Sequence, residues 1–210
     1  HQKTSRISFQ VISVEQPWGY RIFHSWSGAI HMALSPSGKF SKSDYFRQAE
    51  EVGQLLRDFA SGRLRRVCEV GCGQGFNIRF LAEQFPSITF SGVDLNDRHI
   101  RYANNLLSRF PNASASVGDF HALSTIKNQS TQVVFAVETL CHATDLSQAL
   151  KAIHRTMGEG GKLVIFDGFR NTADVVDADM MKAISYTEKA MAVPEFSTLD
   201  NFKRAANDAV

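Results

Sequence analysis

The sequence predicts a three-layer α/β fold, in which a mostly parallel sheet lies between two layers of helices and carries an N-terminal helical cap. Two observations indicate this class. Five short segments rich in apolar and β-branched residues alternate with segments whose apolar residues recur at helical spacing, as in a parallel sheet covered on both faces. In addition, a glycine-rich turn joins the first of these strands to the helix that follows it.

The composition excludes several other classes of protein. Of the 210 residues, 43% are hydrophobic and 21% are charged, which provides a core and argues against intrinsic disorder. The net charge of +2 is too small to indicate a nucleic-acid-binding surface. No apolar run approaches the roughly 20 residues that span a bilayer. Three cysteines cannot all pair with one another, so we expect a reducing compartment, the cytoplasm, and no disulfide framework.

Residues 1–62 are predicted to form an N-terminal arm or lid together with the first helix. Within this part, residues 20–40 place aromatic and histidine side chains among glycines and serines. Two interpretations stay open for such a segment. It is either a packed arm or an active-site lid, in which Tyr20, Trp26 and His31 would face the substrate.

The first helix begins near residue 43, where Ser43 or Asp44 can cap it. Residues 63–210 follow as one structural unit. Its predicted strands are 67–70, 88–93, 113–117, 132–137 and 162–166. Its predicted helices run over 76–85, from 96, from 144 or 145, over 173–191 and over 198–208, and the glycines at 158–161 are predicted to form a turn. Residues 7–14 are rich in apolar side chains but show no period, and they receive no assignment.

The strongest local signal is the turn at residues 69–75, Glu-Val-Gly-Cys-Gly-Gln-Gly, between the first strand and its helix. Glycines at such a point let the backbone turn tightly and let a ligand approach the main chain, while the helix N-terminus offers unpaired N–H groups. Asp94 ends the next strand, where a carboxylate can accept both ribose hydroxyls of a nucleoside. The turn therefore predicts a nucleoside-containing ligand.

Two cofactors fit this arrangement. A nicotinamide dinucleotide favours the spacing G-x-G-x-x-G, but Phe76 stands where the third glycine would be. Glu69 would also repel a pyrophosphate, whereas it could pair with a cation. S-adenosylmethionine has no phosphate and carries an ammonium and a sulfonium. We therefore predict S-adenosylmethionine as the cofactor, with S-adenosylhomocysteine as the product.

Several segments of the chain, taken together and in order, resemble the class I S-adenosylmethionine-dependent methyltransferases. They are residues 67–75, 92–95, 118–120, 133–138 and 160–167. Residues 138–143, Glu-Thr-Leu-Cys-His-Ala, are similar to the small-molecule branch that includes sterol, tocopherol and quinone methyltransferases. The resemblance implies a Rossmann-like methyltransferase fold, with residues 63–210 as the S-adenosylmethionine-binding domain.

The resemblance also implies a set of cofactor-binding residues. Asp94 would bind the ribose hydroxyls, Leu95 would cover the adenine, and Asp119 would accept from the adenine amino group. Val137 and Glu138 would lie near the sulfonium and the methyl to be transferred. The remaining implied contacts are Glu69, Gly71, Cys72, Gly73 and Gly75, along the methionine part, and Phe120, whose backbone would lie near the adenine.

Methyl transfer needs a base only when the acceptor must lose a proton. His142 is our hypothesis for a general base, because it follows the strand that ends at the methyl and because imidazole titrates near neutral pH. The alternative is a structural or substrate-contacting histidine. No metal site is predicted, because the cysteines lack the C-x-x-C spacing typical of zinc ligands.

The predicted function is methyl transfer from S-adenosylmethionine to a small, apolar or amphipathic molecule. One alternative is a non-catalytic S-adenosylmethionine-binding accessory protein, and another is a nicotinamide-dependent oxidoreductase. We expect a small-molecule acceptor as the partner, no nucleic acid and no stable membrane insertion, and the sequence is compatible with a homodimer.

The end of the sequence leads to one further expectation. Members of this family normally close the sheet with two more strands, the last of them antiparallel. After residue 194 the chain offers one helix and then stops at Val210, which would leave the edge of the strand at 162–166 open. We therefore expect that the C-terminal strands are missing and that the natural protein extends beyond Val210, or that a second chain covers the edge.

Overall fold

The computed structural model describes residues 8–11, 31–36, 38–59, 65–170 and 177–210. Within these residues there are six strands: β1 (Ser8–Val11), β2 (Arg66–Val70), β3 (Thr89–Asp94), β4 (Ala113–Val117), β5 (Thr131–Val137) and β6 (Met157–Phe166). They form one sheet in the order β1-β6-β5-β2-β3-β4, and every neighbouring pair is parallel. The helices are α1 (Arg47–Asp58), α2 (Phe76–Gln84), α3 (Asp97–Leu107), α4 (Leu146–Thr156), α5 (Ala178–Met191) and α6 (Leu199–Asp208).

Helices cover both faces of the sheet, which confirms the predicted three layers. Successive residues of a strand point to opposite faces, and the central strand β5 shows this directly. Phe135 packs into the core shared with α1, α2 and α3, which includes Val52. Val134 packs into the opposite core, which includes Ile153 of α4 and Phe202 of α6. The run of apolar residues in β5 is therefore explained by burial on both sides.

The sheet has one strand more than the five that the sequence predicted. Ser8–Val11 pairs in parallel with β6, from Ser8 opposite Lys162 to Val11 opposite Ile165. The expectation of an open edge on β6 is therefore wrong. The pairing joins residues about 150 positions apart in the chain, and a four-residue strand without a clear period carries no local signal for such a partner.

The cap of the first helix also differs from the prediction. A short 3₁₀ turn over Lys42–Phe46 precedes α1, and Ser41, rather than Ser43 or Asp44, is its N-cap. The Ser41 N–H donates to Asp44 Oδ2 at 2.7 Å while the Ser41 side chain accepts from the Ser43 N–H, which closes a capping box. Asp44 therefore fixes the start of the helix from its third position.

The glycines at 158–161 were predicted as a turn but lie within β6. Thr131 pairs with Met157 and Val133 with Lys162, so one residue of β5 lies opposite four of β6 and the register is irregular there. Gly160, with φ of 71°, provides the left-handed residue that this irregularity needs.

The two C-terminal helices differ in how they pack. α6 is capped by Thr198, as predicted, and buries Phe202 and Ala206. α5 begins at Ala178, capped by Asp177, and has no buried residue; the start predicted at 173 lies outside the described residues. None of the helices in the described ranges is both long and apolar enough to cross a bilayer.

Candidate functional site

Carboxylates line the edge of the sheet at which the parallel strands end. Each of β2 to β6 has one acidic residue at its last position or within two residues of it. In chain order they are Glu69, Asp94, Asp119, Glu138 and Asp167. Four of the five were predicted as site residues, and Asp167 was not. Acidic side chains at this rim favour a ligand that carries positive charge, because a cation stabilises their carboxylate forms.

Glu69 is the most buried member of this rim, with 2% of its surface exposed. Asn77, in the first turn of α2, donates from Nδ2 to Glu69 Oε1 at 2.7 Å. Burial raises the pKa of Glu69, the hydrogen bond from Asn77 lowers it and the nearby carboxylate of Asp94 raises it, which together give a pKa of about 8. Sequence reasoning missed Asn77; the available signal was an amide in the otherwise apolar start of α2.

The glycine-rich turn depends on left-handed backbone at three positions. Gly71, Gly73 and Gly75 have φ of 69°, 49° and 77°, which side chains rarely adopt. A Cβ at Gly71 would lie 2.2 Å from Oγ1 of Thr139, the residue that follows Glu138 after β5. Gly71 is therefore required by the packing of two strand ends against each other, independently of any ligand.

Cys72 lies inside this turn, but its side chain points away from the edge. It is buried, with Sγ so close to Gly92 that a Cβ there would lie 2.6 Å from it. Burial raises the pKa of the thiol. The N–H groups of Gly71 and Cys72 both donate to the Val93 carbonyl, at 2.7 and 3.1 Å. Cys72 therefore stabilises the turn through its backbone hydrogen bond and through the burial of its side chain.

Asp94 braces the turn from the neighbouring strand. Its Oδ2 accepts from the Gly73 N–H at 2.9 Å and its Oδ1 from the Asn96 N–H at 2.8 Å. Each carboxylate oxygen has further lone pairs for a ligand hydroxyl. Leu95 follows directly and is 74% exposed, so its apolar side chain is available to cover a flat ring.

Asp119 is held by the histidine two residues further on. Asp119 Oδ1 accepts from both the His121 N–H, at 2.8 Å, and the ring atom Nδ1, at 2.7 Å, and these bonds lower its pKa. The other ring nitrogen of His121 accepts from the Asp145 N–H at 3.4 Å, which fixes the tautomer with hydrogen on Nδ1. The ring of Phe120 lies 4.5 Å from that of His121.

Glu138 connects the end of β5 to the N-terminal segment. Its Oε1 accepts from the Met32 N–H at 2.9 Å, and the Met32 carbonyl accepts from Gln48 of α1 at 2.7 Å. Burial raises the pKa of Glu138 to about 7, with a contribution from Asp167. Val137, the last residue of β5, is buried. The bond to Met32 shows that residues near position 31 reach the predicted methyl-transfer edge.

His31, predicted as a lid residue, is buried in a packed environment. Its Nε2 lies 3.0 Å from the Tyr45 carbonyl oxygen. The centroids of the His31 and Phe76 rings are 5.6 Å apart, in an edge-to-face arrangement. Burial lowers its pKa. The other two predicted lid residues, Tyr20 and Trp26, lie outside the described residues.

His142 lies on the 3₁₀ turn over Leu140–His142 and is exposed. Its Nδ1 is 3.2 Å from the Ala192 carbonyl oxygen. The same turn is held by Asp167, whose Oδ2 accepts from the Cys141 N–H at 2.9 Å and whose Oδ1 accepts from the Gly168 N–H at 3.0 Å. Burial raises the pKa of Cys141, which disfavours a thiolate nucleophile there.

A cavity of about 310 Å³ opens beside this turn. Three segments line it: the turn after β5 and the start of α4, the end of β6, and residues 194–202. Its lining residues are Leu140, Cys141, Ala143, Thr144, Leu146, Asp167, Gly168, Phe169, Pro194, Glu195, Ser197, Asn201 and Phe202. His142 does not line it, and among the described lining residues there is no basic side chain. The cavity combines an apolar wall with two carboxylates.

Residues 67–161 match the family described as "Methyltransferase domain". The match begins in β2 and ends in β6, so it contains the glycine-rich turn and four of the five rim carboxylates. This chain carries a class I S-adenosylmethionine-dependent methyltransferase domain. The resemblance seen in the sequence is confirmed, including the small-molecule branch, because sterol and tocopherol methyltransferases are among the relatives of this domain.

Three of the relatives of this domain are named for different reactions and have similar sequence identity to it. An S-adenosyl-L-methionine-dependent Diels-Alderase from Talaromyces variabilis is 26% identical over 74% of this chain and 53% of its own length. A sterol 24-C-methyltransferase from Clavispora lusitaniae is 24% identical over 69% and 38%. The tocopherol O-methyltransferase of Arabidopsis thaliana is 27% identical over 72% and 44%. The chain thus spans about half or less of the length of these relatives.

Solved structures share the fold of the methyltransferase domain. A protein assigned as a sarcosine dimethylglycine methyltransferase from Galdieria sulphuraria has a TM-score of 0.73 at 14% identity, covering 86% of this chain and 68% of its own. The [4+2]-cyclase SpnF has a TM-score of 0.66 at 15% identity, covering 87% and 64%. At these identities the likeness concerns the fold.

Proposed function

We propose that this chain binds S-adenosylmethionine along the glycine-rich turn and transfers its methyl group to a small, apolar or amphipathic molecule. The observation that carries the proposal is the rim of five carboxylates at the strand ends of a methyltransferase domain. The cofactor carries positive charge at its ammonium and at its sulfonium. An acidic rim therefore suits the cofactor better than the negatively charged phosphates of a dinucleotide.

The described residues fit this cofactor. Glu69 has one oxygen, Oε2, that meets no donor among the described residues, as expected of a group that awaits a ligand's N–H. Asp94 keeps lone pairs for the ribose, and exposed Leu95 can cover the adenine. Asp119 is aligned by His121 to accept from the adenine amino group. Gly73 and Gly75 would lie along the methionine part with Gly71 and the backbone of Cys72.

For the acceptor we propose the 310 Å³ cavity beside the turn after β5. Its volume lies near the lower end of the range for small-molecule sites, so the acceptor is small. Leu140, Phe169 and Phe202 give it an apolar wall. Of its two acidic residues, Glu195 pairs with Arg170 at 2.7 Å, and burial raises the pKa of Asp167. A small amphipathic acceptor suits this lining.

Catalysis by this chain would consist mainly of positioning and of excluding water. The cofactor supplies a methyl group on a sulfonium, which is an excellent leaving group, so alignment accounts for much of the rate. For an acceptor that must lose a proton we propose His142 as the base: it does not line the cavity itself, but its chain neighbours Cys141 and Ala143 do. If its Nδ1–H donates to the Ala192 carbonyl, Nε2 carries the lone pair that accepts the proton.

The wider organisation is proposed in the same way. Residues 1–62 would supply an arm and lid, with Tyr20 and Trp26 at the acceptor and His31 packed against Tyr45 and Phe76, and residues 63–210 the methyltransferase domain. The bond from Met32 to Glu138 supports a lid that reaches the site. We keep the cytoplasm as the location, and a homodimer as compatible with the fold.

A second function is favoured by a specific observation. One relative is named as a Diels-Alderase, and one solved structure of the same fold as a [4+2]-cyclase. This chain could therefore hold S-adenosylmethionine while catalysing a cyclisation, or bind it as an accessory protein. In both cases the cofactor would bind but would not be consumed.

Release of S-adenosylhomocysteine separates these functions. We expect the purified chain, given S-adenosylmethionine and a metabolite extract, to form S-adenosylhomocysteine together with a methylated product visible by mass spectrometry. The matched control is Gly73→Val, which puts a branched side chain where φ is 49° and should abolish turnover. Tight binding of S-adenosylmethionine without its consumption would favour the cyclase or accessory role, and binding of NAD instead would contradict the proposal.

A further inference from the structure

A buried polar pair lies directly beneath the glycine-rich turn. Glu69, on β2, and Asn77, in the first turn of α2, are 2% and 4% exposed. The Asn77 amide donates from Nδ2 to Glu69 Oε1 at 2.7 Å. No other side chain in the described residues forms a hydrogen bond with either group, so the two side chains depend on each other.

Each of these two side chains has one buried oxygen without a hydrogen-bond donor. Neither Glu69 Oε2 nor Asn77 Oδ1 meets a donor within the described part of the chain. If Glu69 were ionised, both oxygens would be buried acceptors without a hydrogen, beside an uncompensated charge, which is costly. A single proton on Oε2 removes the problem, because that hydroxyl can donate to Asn77 Oδ1 while Nδ2 continues to donate to Oε1.

We propose that Glu69 is a neutral carboxylic acid in the free protein, paired through both oxygens with the Asn77 amide, and that it releases its proton when the cationic part of the cofactor binds beside it. The second half of this inference rests on the proposed function. The proton passes from Oε2 to solvent, and the carboxylate that remains then faces the ammonium of the ligand. Asn77 thereby becomes a positioning residue of the cofactor site.

The surroundings of Glu69 favour the neutral form until a cation arrives. Burial raises its pKa, and the charged neighbour that contributes is Asp94 on β3, which is also acidic. The other ionisable groups beside it are the thiols of Cys68 and Cys72, whose pKa values are raised by burial and by Glu69 itself. α2 contributes the uncharged amide of Asn77. A bound ammonium would reverse the balance by stabilising the carboxylate.

Calorimetry in two buffers measures the proton directly. S-adenosylhomocysteine, which carries the ammonium without the sulfonium, is titrated into the protein at pH 7.0 in phosphate and in Tris, which differ in ionisation enthalpy. We expect the binding enthalpies to differ by an amount that corresponds to release of most of one proton. In Glu69→Gln the proton release that is due to Glu69 should disappear, and the difference between the two binding enthalpies should shrink accordingly. The glutamine amide can keep both hydrogen bonds to Asn77 but has no proton to release on binding.

Glu138→Gln is the matched control, since burial also raises the pKa of Glu138. In this variant the share of proton release assigned to Glu69 should persist. Equal enthalpies in the two buffers, or a release that survives in Glu69→Gln and disappears in Glu138→Gln, would overturn the inference while leaving cofactor binding intact.

The free protein offers a test that does not depend on the cofactor. With ¹³C-labelled glutamate, the protonated carboxyl band in the infrared spectrum at pH 7.0 should be weaker in Glu69→Gln, and the part that remains belongs to Glu138, whose pKa is about 7. Identical spectra for the two proteins would show that Glu69 is ionised and would overturn the first half of the inference. If S-adenosylhomocysteine fails to bind while the band is present, the proposed function fails, and the release step with it, but the neutral pair stands.

Discussion

Asp94 is the single side chain on which both the turn and the proposed ribose contact depend. Its two oxygens accept from the N–H groups of Gly73 and Asn96, so it orders the backbone that a ligand would approach. Asp94 therefore has an observed role within the chain and, separately, a proposed role toward the ligand.

We predict that Asp94→Ala weakens S-adenosylhomocysteine binding by about 1–3 kcal/mol, the scale of a lost charge-assisted hydrogen bond. Isothermal titration calorimetry measures this loss. The control is Asp97→Ala, on the exposed start of α3, where the carboxylate pairs with Arg101 and where we expect unchanged affinity. Equal affinities for both variants and the parent chain would remove Asp94 from the site.

The raised pKa of Glu69 predicts how stability depends on pH. Its pKa in the folded chain, about 8, exceeds the ordinary value of 4.5, so the folded protein keeps a proton that the unfolded chain has already lost. The stability due to this group is therefore complete below pH 4.5 and is lost as the pH rises toward 8.

We expect the Tm of Glu69→Gln, relative to that of the parent chain at the same pH, to rise from pH 5 to pH 8. Differential scanning fluorimetry measures both Tm values. The glutamine cannot ionise, so it escapes this loss. Glu83→Gln, a matched change at an exposed position of α2, should show no such trend. A constant difference across the range would mean that Glu69 ionises normally.

At the scale of elements, the turn after β2 and the turn after β5 fit together through one contact. A side chain at Gly71 would collide with Thr139, with three atoms of that residue between 2.2 and 2.8 Å of the added Cβ. The ends of β2 and β5, which carry Glu69 and Glu138, can lie this close together only because Gly71 has no side chain. Both carboxylates depend on this spacing.

The chain offers a matched pair of glycines that tests this contact. Gly160 has φ of 71°, close to the 69° of Gly71, but nothing lies within 4 Å of an added Cβ there. Gly160→Ala should therefore cost only the left-handed backbone, about 1–2 kcal/mol. Gly71→Ala should cost a further ~1–3 kcal/mol because Thr139 must move. Urea unfolding measures both, and equal costs would show that Thr139 yields freely.

At the scale of the whole molecule, β1 closes the edge that β6 would otherwise expose. Its pairing with Lys162–Ile165 joins the N-terminal residues to the far side of the sheet. An uncovered edge strand offers unpaired N–H and C=O groups to other chains. β1 thus gives β6 a partner and becomes the outermost strand of the sheet, in addition to any role of the N-terminal segment as a lid.

We predict that deleting residues 1–11 lowers the Tm and increases aggregation, because β6 loses its outer partner. Each kcal/mol lost should appear as about 2–4 °C in a chain of this size. Differential scanning fluorimetry and light scattering measure the two effects. Deleting residues 1–5 leaves β1 present and is the control; the same behaviour for both deletions would indicate that the pairing with β6 contributes nothing.

The features that the sequence determined are those whose causes lie close together in the chain. The alternation of strands and helices, the left-handed turn at 69–75, and the caps at Asn96, Asp145 and Thr198 all follow from spacing and local hydrogen bonding. The acidic residues near the strand ends are also readable locally. A parallel sheet then brings them to one edge without further information.

Only the tertiary structure decided the contacts between segments far apart in sequence. Three of these contacts carry no local signal, because each depends on where a distant backbone passes: the pairing of β1 with β6, the bond from Met32 to Glu138, and the close approach of Thr139 to Gly71. The cavity beside the turn after β5, which we propose for the acceptor and which is built from three separate segments, is of the same kind. Hydrophobic periodicity specifies which face of an element is buried, but not which partner it meets, and that choice is made by packing of the whole chain.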